Sequence, residues 1–275
     1  MRIVILCSGV YSESGCAMAV RMAKLGHVPV GALSLSTLDS GTLLRKLGQW
    51  GPRGVIRYAR AKLVPHESDA QAIVCNPYLQ PLLQHEYGIF RSLREVARSY
   101  GFPVAICRDQ NAPDSIARLR EWLPDLIIFT GGNILRKQSL EVPRLGVLNV
   151  HLGLLPQVRG MSTPEWSLLE HVPVGVTIHY VDAGIDTGPI LQRCEFPGAS
   201  QRQSLSDLRN RLIAFGVEKA AEVVAGLDQG TISATPQSDL DTDRQFFAMH
   251  EWLQARAAER YTQGRPTAVA GTVNG

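Results

Sequence analysis

What most constrains the fold of this chain is a repeated alternation. Short apolar runs of strand length are each followed by a stretch with helical spacing. "RIVILC" reads as a buried strand, "AMAVRMAKLGH" as a helix that Gly26 stops, and "VPVGALSL" as a second strand. The pattern resumes with "SLREVARSYG" as helix, "FPVAICRD" as strand, "DSIARLREWL" as a helix starting near Asp114, and "DLIIFTGG" as a strand ending in glycines. Strand–helix–strand units of this kind build a mostly parallel sheet with helices on both faces, an α/β fold. Ligands of such sheets bind beyond the carboxyl ends of the strands. The polar tips at Ser8, at Thr130 to Asn133 and at Asn149 to His151 all fall there.

The most informative tip is "LNVHLGLLPQVRG", residues 148–160. Side chains two apart on a strand share a face, so Asn149 and His151 project together if the strand runs through them. Downstream, "GVTIHYV" is strand-like and "DAGIDTGP" is a Gly-rich loop presenting Asp182 and Asp186. Glycine lets such a backbone approach a ligand closely. A carboxylate near a His fixes its tautomer and stabilises its imidazolium, and an Asn N–H binds an oxygen that is gaining negative charge. With no Ser or Cys nucleophile beside them, these groups suit attack on a carbonyl by an external nucleophile. Spacing alone equally allows polar strand ends satisfied by loop hydrogen bonds.

Composition narrows the class. The chain has 275 residues, 45% of them hydrophobic, enough for one sizeable core with an appendage or for two modest domains. The five cysteines (Cys7, Cys16, Cys75, Cys107 and Cys194) are scattered and never in a CxxC pair, so neither a disulfide framework nor a metal site is expected, and a cytoplasmic setting fits. "MRIVILCSG" reads as a first strand rather than a secretory signal, and no apolar run is long enough for a transmembrane helix. A net charge of +3 does not by itself imply a nucleic-acid partner.

Residues 41–63 interrupt the rhythm with a basic, acid-free stretch that reads as two short amphipathic helices around Gly51-Pro52. A solvated insertion is the plainer reading; a surface for an anionic substrate, a nucleotide or a membrane is the other. "SLSDLRNRLIAFGVEKAAEVVAGLDQG" predicts a long helix with Ser204 or Ser206 as N-cap and Gly230 as terminator. The aromatic-rich "RQFFAMHEWL" favours core or a homodimer contact over a ligand site, and "YTQGRPTAVAGTVNG" reads as a weakly ordered tail. The domain expectation is a catalytic domain over 1–235, containing the insertion, and a C-terminal helical extension and tail over 236–275.

From "PDLIIFTGGNIL" through "GVLNVHLGLLPQVRG" to "GVTIHYVDAGIDTGPIL" the chain resembles the folate-dependent formyltransferase family. That family includes glycinamide ribonucleotide formyltransferase, the catalytic domain of methionyl-tRNA formyltransferase and sugar N-formyltransferases. The resemblance is close over 124–192 and looser over 1–123 and 193–235. It implies a Rossmann-like formyltransferase fold and transfer of a formyl group from 10-formyltetrahydrofolate to an amine. By the same resemblance Asn149 and a protonated His151 would stabilise a tetrahedral oxyanion. Asp186 would orient the His and help carry a proton from amine to leaving nitrogen. His179 matches a second His of the glycinamide enzymes, or is a strand His packed against the loop. The cofactor pocket would use Gly132, Asn133, Ile134 and Leu135 together with Val181, Asp182 and Gly184; Ile134 and Leu135 are equally readable as core.

Three departures bear on the acceptor. Gly153 stands where many members have Ser, so altered acceptor contacts are expected. "SGVYSESG" replaces the phosphate-holding loop of the glycinamide enzymes, leaving Ser12, Ser14 and the backbone before the first helix as an anion site. The stretch after residue 200 is short of the basic barrel that the tRNA enzymes add, so no tRNA is expected as acceptor. The first reading is therefore an N-formyltransferase acting on a small-molecule amine, an amino sugar nucleotide or a specialised metabolite. Alternatives are a formyltetrahydrofolate hydrolase, which in known cases carries an N-terminal regulatory domain, a related one-carbon or carbamoyl transferase, and a non-catalytic folate- or nucleotide-binding protein.

Overall fold

The computed structural model describes residues 1–36, 76–200, 204–237 and 244–263. The basic stretch 41–63 and the tail from 264 onward lie outside the described residues. The chain divides into two compact units, one of Arg2–Pro124 with Thr130–Leu135, the other of Asp125–Phe129 and Arg136–Gly275 with Met1.

The first unit runs β1 (Ile3–Cys7), α1 (Glu13–Lys24), β2 (Gly31–Leu35), α2 (Gln80–Leu83), β3 (Gln84–His85), β4 (Gly88–Ile89), α3 (Leu93–Tyr100), β5 (Val104–Cys107) and α4 (Pro113–Glu121). β2 pairs in parallel with β1 on one side and β5 on the other, with Leu33 opposite Leu6 and Ala105. All five residues of β1 are buried, as a continuous apolar run in a covered parallel sheet requires. The helices begin and end where capping chemistry places them. Ser12 accepts from the Gly15 N–H at 3.1 Å to open α1. Ser92 accepts from the Glu95 N–H at 3.3 Å to open α3, which closes on Gly101 at φ +77°.

The second unit runs β6 (Leu126–Phe129), α5 (Lys137–Leu140), β7 (Gly146–His151), β8 (Arg159–Gly160), α6 (Thr163–Leu169), β9 (Gly175–Tyr180), β10 (Ile190–Glu195), a 3₁₀ turn over Pro197–Ser200, α7 (Leu205–Gln229), β11 (Gln245–Phe246) and α8 (Glu251–Gln263). β6 and β7 are parallel, while β9 is antiparallel to both β7 and β10. β8 and β11 form a separate parallel pair. Three of the main pairings are thus parallel, in agreement with the mostly parallel sheet expected, and the antiparallel strands gather at β9 and β10.

α7 is opened by Ser204, which accepts from the Asp207 N–H at 3.0 Å, and closed by Gly230 at φ +70°. It lies close over β7 because Gly216 has no Cβ; one there would meet Val150 Cγ1 at 2.6 Å. The core beneath joins Leu168, Val174, Val176, Leu208, Leu212 and Tyr261. Each fully buried Val or Leu of such a cluster contributes about 1.5–3 kcal/mol. Tyr261 belongs to the stretch read as tail, yet it completes this core. Its hydroxyl accepts from Arg211 Nη2 at 2.8 Å, and Arg211 in turn pairs with Asp207 at 2.7 Å. The "RQFFAMHEWL" segment divides by face: Phe246 and Met249 are buried, whereas Phe247 and Trp252 are exposed. Among the described residues no helix is long and apolar enough to cross a membrane.

Candidate active site

The polar end of β7 is fixed by its pairing with β9. The register sets Asn149 opposite His179 and His151 opposite Thr177. Opposed side chains on one face touch, and here the Asn149 amide nitrogen lies 3.1 Å from His179 Nε2. The other nitrogen of His179, Nδ1, is 2.8 Å from the Tyr180 carbonyl. A carbonyl only accepts, so Nδ1 carries the proton and Nε2 accepts from Asn149. His179 is only 1% exposed. Burial, then the neighbouring His151 charge, lowers its pKa from the ordinary 6.5, with Asp186 partly opposing. His179 is thus a neutral acceptor that holds the Asn149 amide in one orientation.

His151 obeys the same logic with a different result. Its Nε2 lies 2.7 Å from the Val158 carbonyl, so Nε2 carries a proton. Its Nδ1 faces Asp186 Oδ2 at 3.4 Å. A neutral ring with this tautomer would point a lone pair at a carboxylate. A second proton on the ring would turn that contact into an ion pair. Asp186 is anchored in turn: its Oδ2 accepts the Gly160 N–H at 2.9 Å, and its backbone is left-handed at φ +54°, which Asp tolerates better than most residues. The Gln237 amide donates to the carbonyls of Asp186 and Gly188 at 3.0 and 2.7 Å, bracing the loop from a distant part of the chain.

The loop between β7 and β8 is held equally firmly. Thr177, fully buried, donates to the Gly153 carbonyl at 2.7 Å and accepts from the Leu155 N–H at 3.1 Å. Thr163 donates to the Leu152 carbonyl at 2.8 Å, and Arg193 to the Leu155 carbonyl at 3.0 Å. Gly153 proves to be a steric matter: a Cβ there would lie 3.1 Å from both His151 Nε2 and the Val158 oxygen. A serine would press on the contact that fixes the His151 tautomer.

Of the residues singled out in the sequence, Asn149, His151, Asp186 and His179 thus come together. Val181, Asp182 and Gly184 lie on the adjoining loop, where Asp182 Oδ1 accepts from the Gly184 N–H at 3.1 Å and from the Thr187 hydroxyl at 2.7 Å. Ala183 and Gly184 are exposed. Gly132, Asn133, Ile134 and Leu135 belong to the first unit. There the Asn133 N–H donates to the buried Gln110 Oε1 at 3.0 Å, and a Cβ on Gly132 would collide with that same atom. Leu135 is core, whereas Ile134 is exposed. Ser12, also in the first unit, uses its hydroxyl as the α1 cap and touches Ser14 at 3.2 Å. Among the described residues no group of His, Cys, Asp and Glu could hold a metal ion. The Val158 carbonyl, the Gly160 amide, Thr177 and Gln237 were not singled out from sequence. The "R-G" that closes the first motif was the one available sign of them.

Residues 91–224 match the family model described as formyl transferase. That stretch is a formyltransferase domain. The chain is 32% identical over 180 residues to the methionyl-tRNA formyltransferase of Geobacter metallireducens, covering 65% of this chain and 57% of that protein. It is 34% identical over 149 residues to the enzyme of that name from Pelobacter propionicus, covering 54% and 46%. It spans about half the length of these curated relatives. Among solved structures, the glycinamide ribonucleotide transformylase 1 of Symbiobacterium toebii shares the fold, with a TM-score of 0.55, 19% identity, and 84% and 88% of the two chains covered. So does the N-formyltransferase of Helicobacter canadensis, solved with folinic acid and dTDP-3-aminofucose, with a TM-score of 0.57, 14% identity, and 95% and 80% covered.

Proposed function

We propose that this chain transfers a formyl group from 10-formyltetrahydrofolate to the amine of a small-molecule acceptor. The observation that supports the reading is the geometry just described, an Asn149 amide held by His179, a His151 ring with Nδ1 toward a carboxylate, and that carboxylate, Asp186, on the facing loop. Bound 10-formyltetrahydrofolate supplies a formyl carbon open to attack by an amine. Asn149 presents its second amide hydrogen to the formyl oxygen, where negative charge develops, while His179 occupies the first. His151 has both ring nitrogens engaged by the protein, so it contributes positive charge beside that oxygen rather than a freely placed donor. Asp186 holds that charge in place and passes the proton released by the attacking amine to the leaving folate nitrogen, so that the bond from the formyl carbon to that nitrogen breaks as the new C–N bond is kept and tetrahydrofolate departs. The exposed loop residues Ala183 and Gly184, near Asp186 in sequence, would offer backbone groups to the donor and acceptor edge of a pteridine.

An amino sugar nucleotide is the favoured acceptor class. It is suggested by the shared fold of a neighbour solved with folinic acid and dTDP-3-aminofucose. Aminoacyl-tRNA is the second reading, favoured by the names of the curated relatives above. Calorimetry with 5-formyltetrahydrofolate, a stable analogue of the donor, comes first; saturable binding is expected. Acceptors, methionyl-tRNA among them, are then screened for the gain of one formyl mass. Asp186→Asn and His151→Ala should each lower turnover about 10²–10⁴-fold with analogue binding largely kept. Full turnover in either variant would overturn the mechanism.

A further inference from the structure

Arg159 is the buried charged residue of the "LLPQVRG" segment, and its surroundings are unusual. It is only 8% exposed, its Nε is buried without a hydrogen-bond partner, and it forms no ion pair among the described residues. Other arginines of this unit drawn into the protein have a charged or polar partner, although the Nε of Arg211 also lacks an aligned hydrogen bond. Arg211 holds Asp207, the Gly198 carbonyl and Tyr261, Arg209 grips Glu165 through two nitrogens, and Arg193 donates to Leu155. A buried guanidinium without partners costs stability, and a fold keeps one where a ligand will complete it.

Its position says which ligand. The residue before it gives its carbonyl to His151 and the residue after it gives its N–H to Asp186. In the backbone, Arg159 therefore lies between the two residues that touch the reactive pair. Its backbone is fixed by the β8–β11 pairing, opposite Gln245. Beside it, Met161 and Phe247 are 60% and 70% exposed, and the Met161 N–H donates to the Phe246 carbonyl at 2.9 Å, so an apolar rim borders the position.

We propose that Arg159 anchors the acceptor, its planar fork gripping an oxyanion (phosphate or carboxylate) carried by the amine substrate beside His151 and Asp186. This deepens the formyl-transfer reading by naming the acceptor as an anionic amine, and it rests on that reading. The acceptor's anion supplies the missing partner, and the fixed guanidinium sets how far its amine stands from Asn149.

The test uses the full chain, Arg159→Met and Arg159→Lys, in thermal unfolding with inorganic phosphate or acetate as probes. Unliganded Arg159→Met should melt higher than the wild type, because an unpaired buried charge has been replaced by an apolar chain of similar length. Phosphate or acetate should raise the wild-type Tm saturably, and the stronger of the two identifies the anion. Arg159→Lys should keep a weakened response and Arg159→Met should lose it. A lower Tm for unliganded Arg159→Met, no response of the wild type to either anion, or equal responses of wild type and Arg159→Met would each overturn the proposal. Calorimetry with 5-formyltetrahydrofolate is run on the same three proteins. Failure of the wild type to bind it breaks the formyl-transfer reading while the anion result stands, whereas donor binding by all three without an anion response breaks only the role of Arg159.

Discussion

Replacing Thr177 by Val should damage this protein far more than its near-identical shape suggests. The side chain is fully buried, and its hydroxyl donates to the Gly153 carbonyl at 2.7 Å and accepts from the Leu155 N–H at 3.1 Å. Valine fills the volume but answers neither group. A buried backbone donor or acceptor left without a partner costs about 1–3 kcal/mol. Two of them give a loss of about 2–5 kcal/mol, or a fall in Tm of roughly 5–15 °C for a chain of this size. Thr177→Ser keeps both bonds and gives up one methyl, so it should cost only about 1 kcal/mol. Urea unfolding of the three proteins, followed by circular dichroism, measures the difference. The loop that Thr177 pins also delivers the Val158 carbonyl to His151, so crystals of Thr177→Val should show the 2.7 Å contact lengthened. A Thr177→Val protein as stable as Thr177→Ser would refute the argument, because the loop would then hold its shape without the hydroxyl.

Three further outcomes follow from the same geometry. His179 has its folded pKa lowered from 6.5 by burial and by His151, so below about pH 6.5 the unfolded chain binds a proton that the folded one refuses, and its contribution to stability is present above that pH and lost as pH falls toward the folded value. NMR titration should find the His179 ring neutral at pH 6.5; a half-protonated ring there would contradict the assignment. Gly160→Ala should leave little folded protein, since φ is +101° and a Cβ would strike the Phe246 carbonyl, separating β8 from β11; a normal melting curve would show the pairing to be dispensable. Tyr261→Phe removes only the hydroxyl that receives Arg211 at 2.8 Å, and urea unfolding should read a loss of about 1–2 kcal/mol, less than Thr177→Val because Arg211 keeps Asp207.

What could be read in the sequence was whatever local chemistry decides. Ser204 and Gly230 were read as the limits of the long helix, and α7 begins and ends on them; Ser12, Ser92 and Gly101 cap α1 and α3 in the same way without having been read as caps. Asn149 and His151 were legible as a same-face pair because strand alternation is a property of the backbone alone. The tautomers were not legible. They depend on which carbonyl a ring nitrogen meets, and the Val158 carbonyl reaches His151 only because the intervening loop is bent back and because Gly153 leaves room. Gln237 was equally invisible, since nothing near it in sequence says that its amide will brace the Asp186 loop. Phe246 and Phe247 show the limit from the other side: composition marked both as apolar, and only pairing with β8 turns one inward and leaves the other outside.

The chemistry of the site is in the end a property of register. Asn149 faces His179 because β7 and β9 run antiparallel with Val150 opposite Ile178. A slip of one residue would turn Asn149 and His151 away from His179 and Thr177 and would bring polar groups into the packing around Val176 and Ile178, both fully buried. The apolar residues of β9 therefore do more than fill a core. By making every other register costly they hold an amide, two imidazoles and a threonine hydroxyl in the one arrangement in which each donor has its acceptor. Asp186 needs no such strand. It is brought in by a loop with a left-handed backbone at the Asp and two further anchors, the Gly160 N–H and the Gln237 amide. Strand register fixes the neutral half of the site and the braced loop fixes the charged half. A mutation that loosens the Asp186 loop alone should therefore abolish the ion pair with His151 and leave the Asn149–His179 contact intact.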